Sequence, residues 1–374
     1  MKRLAVGLLS LLILVSAAAV YAAGGESLVT QSYLEDTYVP DVLEQAEGRV
    51  EERTQSAYEA ALSELDSLHS AYLGEWSYAP AMTDLRFKEG DVIRFPAGSG
   101  AMLLAGSAQL SYSSGGGAVD VTAGQGLPSG SALTASHRVL AAEDTTAAVT
   151  ITSATAVVGL EGYYATASGG GVDYNALADA LDAMGLFQGT GTAYGSGYDL
   201  EQAPTRIVGL VMFLRLIGEE GAALRSTAAN PFADTPAWCD RYVAYAYAQG
   251  YTQGVGSGAD GRLYFDPDGA LTAGEYLTFL LRALGYTDSG AAPDFTWSTA
   301  LERAVDLGLL NSAERAMLEE ESFLRAQVVY LSCFALSAPT KDGGILLDRT
   351  AEQGALSQTQ LQSILDGVAD QRLS

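Results

Sequence analysis

Three short polar segments directly precede apolar helical stretches, and they carry the residue types best suited to binding chemistry in this chain. They are Thr205-Arg206, Thr272 with Glu275, and Arg325 with Gln327. A threonine followed three residues later by a glutamate predicts a capping box, in which the two side chains satisfy free N–H groups at a helix start. An arginine beside such a box lies at the positive end of the helix, where it would hold an anion through charge-assisted hydrogen bonds.

Residue types needed for catalysis are sparse. The chain has two histidines, His69 and His137, and the one in the predicted β region cannot alone supply the ligands of a catalytic metal site. A wall hydrolase would instead need two carboxylates ~5–9 Å apart, a distance that sequence does not give. The sequence contains no nucleophile elbow or phosphate loop. We therefore predict that the protein is not an enzyme, with no catalytic residue, no metal site and no cofactor.

Composition and charge limit the remaining function classes. At 374 residues, 48% of them apolar, the chain is long enough for two or three domains with sizeable cores. The 45 acidic residues against 20 basic ones give a net charge of −25, which repels phosphate backbones and argues against nucleic acid as a partner. Cys239 and Cys333 lie far apart in apolar helical contexts, so we interpret both as buried thiols, with a single bridge as the alternative.

The first residues predict export. Lys2 and Arg3 precede an apolar run from Leu4 to Val20, and small residues follow at Ala22 and Ala23. This order is typical of a signal peptide over residues 1–23, with a retained membrane anchor as the alternative. We therefore expect a secreted protein with no membrane contact after cleavage. The last residues carry neither a hydrophobic tail nor a sorting motif, so a folded part of the chain would have to hold it at a surface.

Three patterns of hydrophobic spacing divide the rest of the chain. Residues 24–81 predict a long helical segment, because Leu43, Val50, Leu65 and other apolar residues recur three, four or seven positions apart. We expect this stripe to pack on a neighbouring domain, with a coiled-coil dimer as the alternative. Residues 82–165 alternate with period two between glycine-rich turns, which predicts an antiparallel β barrel or sandwich. Residues 166–171 form a glycine-rich linker.

Part of the β region resembles a known motif. The segment Gly90-Asp-Val-Ile-Arg-Phe-Pro96-Ala-Gly98 is similar to a conserved motif of the cupins, a small jelly-roll family. The resemblance implies a jelly-roll-like domain, but alanine stands at position 101 where a metal-binding cupin would have a histidine nearby. We further expect this domain to have a protein partner in the cell envelope.

Beyond the linker, a two-helix unit recurs three times. The units cover about 172–229, 230–289 and 290–340, and a helical tail occupies 341–374. In each unit a first helix ends at a glycine, and these glycines are Gly185, Gly250 and Gly308. The second helices are apolar nearly all round, so we expect them to form the core of an all-α domain.

These repeats resemble the S-layer homology (SLH) family. The second repeat carries the resemblance most fully, with Phe232-Ala-Asp234, Trp238, Gly250 and Gly254, Phe265-Asp-Pro267, and Thr272 with Glu275. The resemblance implies three repeats packed around a pseudo-threefold axis. It also implies that grooves between repeats bind secondary cell wall polysaccharide, often pyruvylated, at the surface of a Gram-positive-type envelope.

The resemblance further implies a set of wall-polymer-binding residues, namely Thr205, Arg206, Trp238, Thr272, Glu275 and Arg325. Their signature is eroded, because Val208 replaces the first glutamate and Ala273 the second arginine. At most two grooves are therefore expected to bind polymer. The alternative is a structural or protein-interaction envelope protein whose degenerate repeats no longer bind the wall.

Overall fold

The structure is a computed structural model that describes residues 29–74, 76–354 and 356–374. The predicted signal peptide lies outside these residues. Two compact units make up the chain, Met1–Gly74 and Glu75–Ser374. None of the helices among the described residues is both long and apolar enough to cross a membrane.

The described residues of the first unit, 29–74, are almost entirely helical. A helical turn at Gln31–Tyr33 and a π-helical turn at Leu34–Tyr38 lead into helix α1, Val39–Leu73. Pro40 fits the first turn, where its missing N–H has no helical partner to lose. Helix α1 ends at Gly74, so the predicted helical segment 24–81 is too long at its C-terminal end. The described side chains from Val29 to Leu68 are exposed except for a partly covered Ala46.

The second unit begins with nine antiparallel strands. They are β1 Ser77–Lys88, β2 Val92–Pro96, β3 Gly100–Ala105, β4 Ala108–Ser111, β5 Ala118–Asp120, β6 Gln125–Leu127, β7 Arg138–Ala141, β8 Thr146–Ile151 and β9 Thr155–Ala167. The first strand starts before the predicted boundary at residue 82, because the alternation that marks it is weak until Leu85. The strand order is β4-β8-β2-β9-β3-β7-β5-β6, with β1 also on β9.

This sheet curls around one apolar core. Alternate residues of β8, Ala147, Val149 and Ile151, point inward, where they meet residues such as Phe95 and Leu160. In strands such as β4 and β8 the alternation places one face in the core and turns the other outward. The central strand β9 is buried on both faces over its first six residues. The prediction of an antiparallel β domain followed by a helical region is therefore confirmed.

The glycine-rich segment after β9 is tied to the β sheet. The backbone N–H of Gly169 donates to Asp91 Oδ1 over 2.7 Å, and Asp173 caps the next helix through Ala176 N. Arg86 of β1 pairs with Asp179 at 2.8 Å and lies over the ring of Tyr198. These contacts hold the β sheet and the first of the following helices together.

The helical region contains ten α-helices among the described residues. They are α2 Tyr174–Ala183, α3 Arg206–Leu216, α4 Glu220–Arg225, α5 Asp240–Ala248, α6 Ala273–Ala283, α7 Ala300–Asp306, α8 Ser312–Glu320, α9 Arg325–Ala335, α10 Leu346–Gln353 and α11 Gln358–Asp366. A two-stranded hairpin, β10 Gly256–Ser257 and β11 Leu263–Tyr264, lies between α5 and α6.

Three of these helices form the centre of the region. Helices α3, α6 and α9 contact one another, and each is flanked by a helix nearer the surface. Helix α5 packs on α3, α7 on α6, and α2 on α9, so the first helix of each repeat packs on the second helix of the repeat before it. The ring closes because the first repeat follows the third in space. Gly185, Gly250 and Gly308 end the outer helices with φ of +72°, +77° and +70°, as their position in the sequence predicts.

The final residues complete the third repeat. Arg372 donates to the buried carboxylate of Glu314 and to the carbonyl of Leu309, and Asn311 donates to Leu373 O. Helices α10 and α11 account for half of the tail, residues 341–374, that is predicted as helical. Cys239 and Cys333 are buried free thiols, as the sequence predicts.

Candidate binding groove

The capping box predicted at the start of α6 is formed. Thr272 Oγ1 accepts a hydrogen bond from Glu275 N at 3.3 Å, and Glu275 Oε2 accepts one from Thr272 N at 2.8 Å. The other carboxylate oxygen, Glu275 Oε1, lies 2.7 Å from a guanidinium nitrogen of Arg206. The start of α3 and the start of α6 are therefore joined by one ion pair between two neighbouring repeats.

Backbone hydrogen bonds fix the position of Arg206. Its N–H donates to Gly269 O at 2.8 Å, and the N–H of Ile207 donates to Pro267 O at 3.1 Å. The loop that supplies these carbonyls is itself held by Asp234, whose carboxylate accepts from Phe265 N and Asp266 N. The Phe-x-Asp and Phe-x-Pro parts of the second repeat thus position the arginine of the first.

A groove opens beside this ion pair, and we call it the Arg206 groove. It encloses about 450 Å³ between α6, the turn at residues 252–256 and the segment before α7. Its lining includes Arg206, Gly254, Glu275, Phe279, Arg282 and Trp297. Gly254 has a φ of +73°, and a Cβ there would lie 2.3 Å from the ring of Phe232, so glycine is required for the turn to form this wall.

The two arginines of the groove differ in how well they are satisfied. Arg282 makes two hydrogen bonds to Asp288, at 3.0 and 2.6 Å, and a third to Tyr251 O. Within the described part of the chain, Arg206 pairs with the side chain of Glu275, and its buried Nε–H has no hydrogen-bond partner there. An unpaired buried donor favours a ligand oxygen that would satisfy it.

An aromatic ring completes the groove. Trp297 lies at the edge of the groove and is 73% exposed, so its ring is free to pack on the apolar face of a ligand. A sugar ring offers such a face, while its hydroxyl or acidic substituents can accept hydrogen bonds from arginine. The arrangement therefore suits a polar, partly apolar ligand such as a polysaccharide unit.

Arg325 has a different environment from the one predicted. It is 3% exposed, donates to Tyr198 O at 3.0 Å and to Gln188 O at 3.3 Å, and lies over the ring of Phe187. Burial lowers the pKa of its guanidinium, partly offset by Asp199. Arg325 therefore fills a structural site, which does not fit the role in wall-polymer binding that the resemblance implies for it.

The reason is a loop that sequence reasoning did not weigh. Residues 190–199 extend from the first repeat, and the buried Asp199 holds this loop by accepting from Thr192 at 2.9 Å and from Thr190. The loop brings the carbonyl of Tyr198 over the guanidinium of Arg325. What would be an open groove is filled by the chain itself.

The remaining positions of the predicted wall-polymer-binding signature differ in their environments. Thr205 is the N-cap of α3 but makes no side-chain capping bond, and Val208 stands where the reciprocal glutamate would be. Trp238 is 63% exposed and does not line the Arg206 groove. At the start of α6, the buried Ala273 stands where the signature has an arginine. The second repeat therefore supplies no guanidinium at the position that Arg206 occupies in the first repeat.

Sequence reasoning missed Arg282 and Trp297 as groove residues. A signal for Trp297 existed, because it precedes the first helix of the third repeat as Trp238 precedes that of the second. Among the described residues, no group of three His, Cys, Asp or Glu side chains is placed to hold a metal ion.

Comparison with known proteins relates the chain to a surface protein. No protein-family profile matches the chain. Over 147 residues it is 30% identical to a protein named "Cell surface protein" from Thermoanaerobacter kivui. The match covers 38% of this chain and 18% of that protein, so the chain spans less than a fifth of the relative's length.

Proposed function

We propose that this is an exported cell-surface protein that attaches non-covalently to a bacterial cell wall through the Arg206 groove. Its ligand would be a secondary cell wall polysaccharide, and acidic substituents such as pyruvyl groups would accept from Arg206. The similarity to a cell surface protein supports a surface or secreted location. The repeats resemble SLH repeats in the order of their motifs, and the closed ring of helix pairs is compatible with that family's arrangement.

The observation that carries the proposal is the unpaired Nε–H of Arg206 in an open groove with Trp297 at its edge. Buried donors of arginine are usually satisfied, as those of Arg282 are by Asp288 and Tyr251. Arg86 Nη1 and Arg303 Nε are also buried and unpaired, so what distinguishes Arg206 is its position in an open groove beside an exposed tryptophan. The free donor and the exposed ring lie on the same groove, so one ligand can contact both.

Co-sedimentation with purified native cell walls tests the proposal. The wild-type protein is expected to sediment with the walls, and Arg206→Ala to bind at least tenfold more weakly, because a hydrogen bond to a charged group contributes about 1.5–3 kcal/mol. Arg315→Ala is the matched control, since Arg315 is an exposed arginine that pairs with Glu319 away from the groove. Wild-type protein that stays in the supernatant, or equal binding by both variants, contradicts wall attachment through this groove.

A second function has a specific observation in its favour. Two of the three helix starts offer no accessible arginine, because Arg325 is buried and Ala273 replaces the other. The repeats would then be a scaffold, and the β domain would bind another envelope protein. In that case wall sedimentation fails while the protein still co-purifies with the envelope. We also expect no turnover of purified peptidoglycan, since the proposal requires binding and no catalysis.

A further inference from the structure

We propose that helix α1 pairs with α1 of a second copy in an antiparallel helix pair, which would make the protein a homodimer. This inference is independent of the Arg206 groove. It rests on an apolar stripe that the structure leaves exposed and on the placement of the few basic residues of the helix.

The stripe runs along the whole of α1. Its members are Val39, Leu43, Ala46, Val50, Tyr58, Ala61, Leu65 and Leu68. Val50, Tyr58, Leu65 and Leu68 are each at least 60% exposed, so the large side chains of the stripe are open to solvent. A helix of 35 residues is about 52 Å long, which gives room for several layers of paired side chains. A stripe of this length exposed on a soluble surface favours a partner.

The spacing of the stripe fits a straight helix. Seam positions alternate by four and three residues from Val39 to Arg53, and again from Tyr58 to Leu68, with one extra residue between the two runs. An ideal helix drifts by about 20° per heptad, so over the roughly four heptads from Val39 to Leu68 the drift is about 80°, close to the ~100° of one residue. The extra residue therefore returns the seam to the same face of the helix.

An antiparallel partner matches this seam layer by layer. If positions whose numbers add up to 111 face each other, Leu43 meets Leu68 of the second copy, Ala46 meets Leu65, and Val50 meets Ala61. Each layer pairs a heptad a residue of one copy with a heptad d residue of the other, as antiparallel packing requires. The a residues of these layers are Leu43, Val50 and Leu65, and the d residues are Ala46, Ala61 and Leu68. The extra residues of both copies coincide at the two-fold axis, where neither interrupts a paired layer.

Charge decides between the two directions. Only two residues of α1, Arg49 and Arg53, are cationic at neutral pH, against many carboxylates. In the antiparallel register Arg49 lies beside Glu64 of the second copy, twice by symmetry, and Arg53 lies opposite the ring of Tyr58. In a parallel register Arg53 would face Arg53 in the seam, and that like-charge contact is unfavourable. Most carboxylates, including Glu44, Glu51 and Asp66, lie on the outer face.

The mass of the purified protein tests the pairing. Sedimentation equilibrium is expected to give twice the monomer mass, and Leu43→Asp to give a monomer, because it places a charge in two layers of the dimer. Since Leu43 is exposed in the single chain, an unchanged circular dichroism spectrum for the rest of the fold is also expected. A wild-type protein that is monomeric at all concentrations, or a higher oligomer, overturns the proposal.

Charge exchange tests the direction. Arg49→Glu and Glu64→Arg should each weaken the dimer roughly tenfold, because two ion pairs become like-charge contacts, and the double variant should restore it. Glu51→Arg is the matched control on the outer face and should leave the dimer unchanged. Val50→Cys combined with Ala61→Cys should cross-link two copies, whereas Val50→Cys alone should not. A cross-link through Val50→Cys alone, or failure of the double charge variant to restore the dimer, overturns the antiparallel register.

Discussion

Arg206 and Arg325 begin equivalent helices of two repeats, yet their environments are opposite. Arg206 lies in an open groove with one carboxylate partner and one unpaired buried N–H. Arg325 is covered by the loop at 190–199 and donates to carbonyl oxygens of its own chain. The same residue type at the same repeat position is thus accessible to a ligand in one case and enclosed by its own chain in the other. What differs is the loop around each arginine and not the helix that carries it.

The largest expected effect separates these two roles. Arg325→Ala should lower the free energy of unfolding by about 2–4 kcal/mol, because it leaves a cavity and two buried carbonyls without donors. Arg206→Ala should lower it by less than about 1 kcal/mol, since it removes one partly exposed ion pair. Urea denaturation followed by circular dichroism measures both.

Arg325→Met sharpens that result. Methionine retains much of the packing on Phe187 but neither the charge nor the donors, so it should cost less than alanine. Equal unfolding free energies for Arg206→Ala and Arg325→Ala would contradict the division between an open and a structural arginine.

The covering loop gives the next largest effect. Asp199→Ala should destabilise the protein by about 2 kcal/mol, because Thr190 and Thr192 lose a charged acceptor. Amide hydrogen exchange over residues 188–199 should accelerate in this variant. Asp199 has a φ of +50°, which asparagine also tolerates, so Asp199→Asn should cost less than Asp199→Ala. Unchanged exchange in Asp199→Ala would mean that the loop does not depend on this carboxylate.

The sequence predicted secondary-structure elements better than the tertiary environments of individual side chains. Local patterns sufficed for the long helix, the antiparallel β domain and the glycines that end the outer helices, since each depends on residues close in the chain. The capping box of Thr272 and Glu275 was predicted for the same reason.

The burial of Arg325 depends on carbonyls at Gln188 and Tyr198, more than 120 residues away, and on a loop whose composition resembles any polar turn. Trp297 lines the groove because the third repeat packs against the second, and the spacing of residues along the sequence does not show this packing. Polar contacts made by backbone atoms leave no residue-type signal, and for this reason the site was predicted only in part.

A smaller effect concerns the two exposed tryptophans. Trp297→Ala should weaken wall binding about five- to tenfold, because the ligand loses an apolar face in the Arg206 groove. Trp238→Ala should change the affinity for the wall by less than twofold, since Trp238 is also largely exposed to solvent but does not line that groove. Co-sedimentation at several wall concentrations gives the two affinities. If Trp238→Ala loses more wall affinity than Trp297→Ala, the binding surface lies near the first helix of the second repeat and not in this groove.

The smallest expected effect compares the caps of α3 and α6. Thr272→Ala should reduce the free energy of unfolding by about 1 kcal/mol, because Thr272 Oγ1 satisfies Glu275 N at the start of α6. Thr205→Ala should change it by only a few tenths of that amount, since Thr205 makes no side-chain capping bond. Thermal denaturation of the two variants under the same conditions measures the difference. If both lose the same stability, Thr205 contributes through packing as much as Thr272 does through its hydrogen bond, and the complete capping box is not what distinguishes the second repeat from the first.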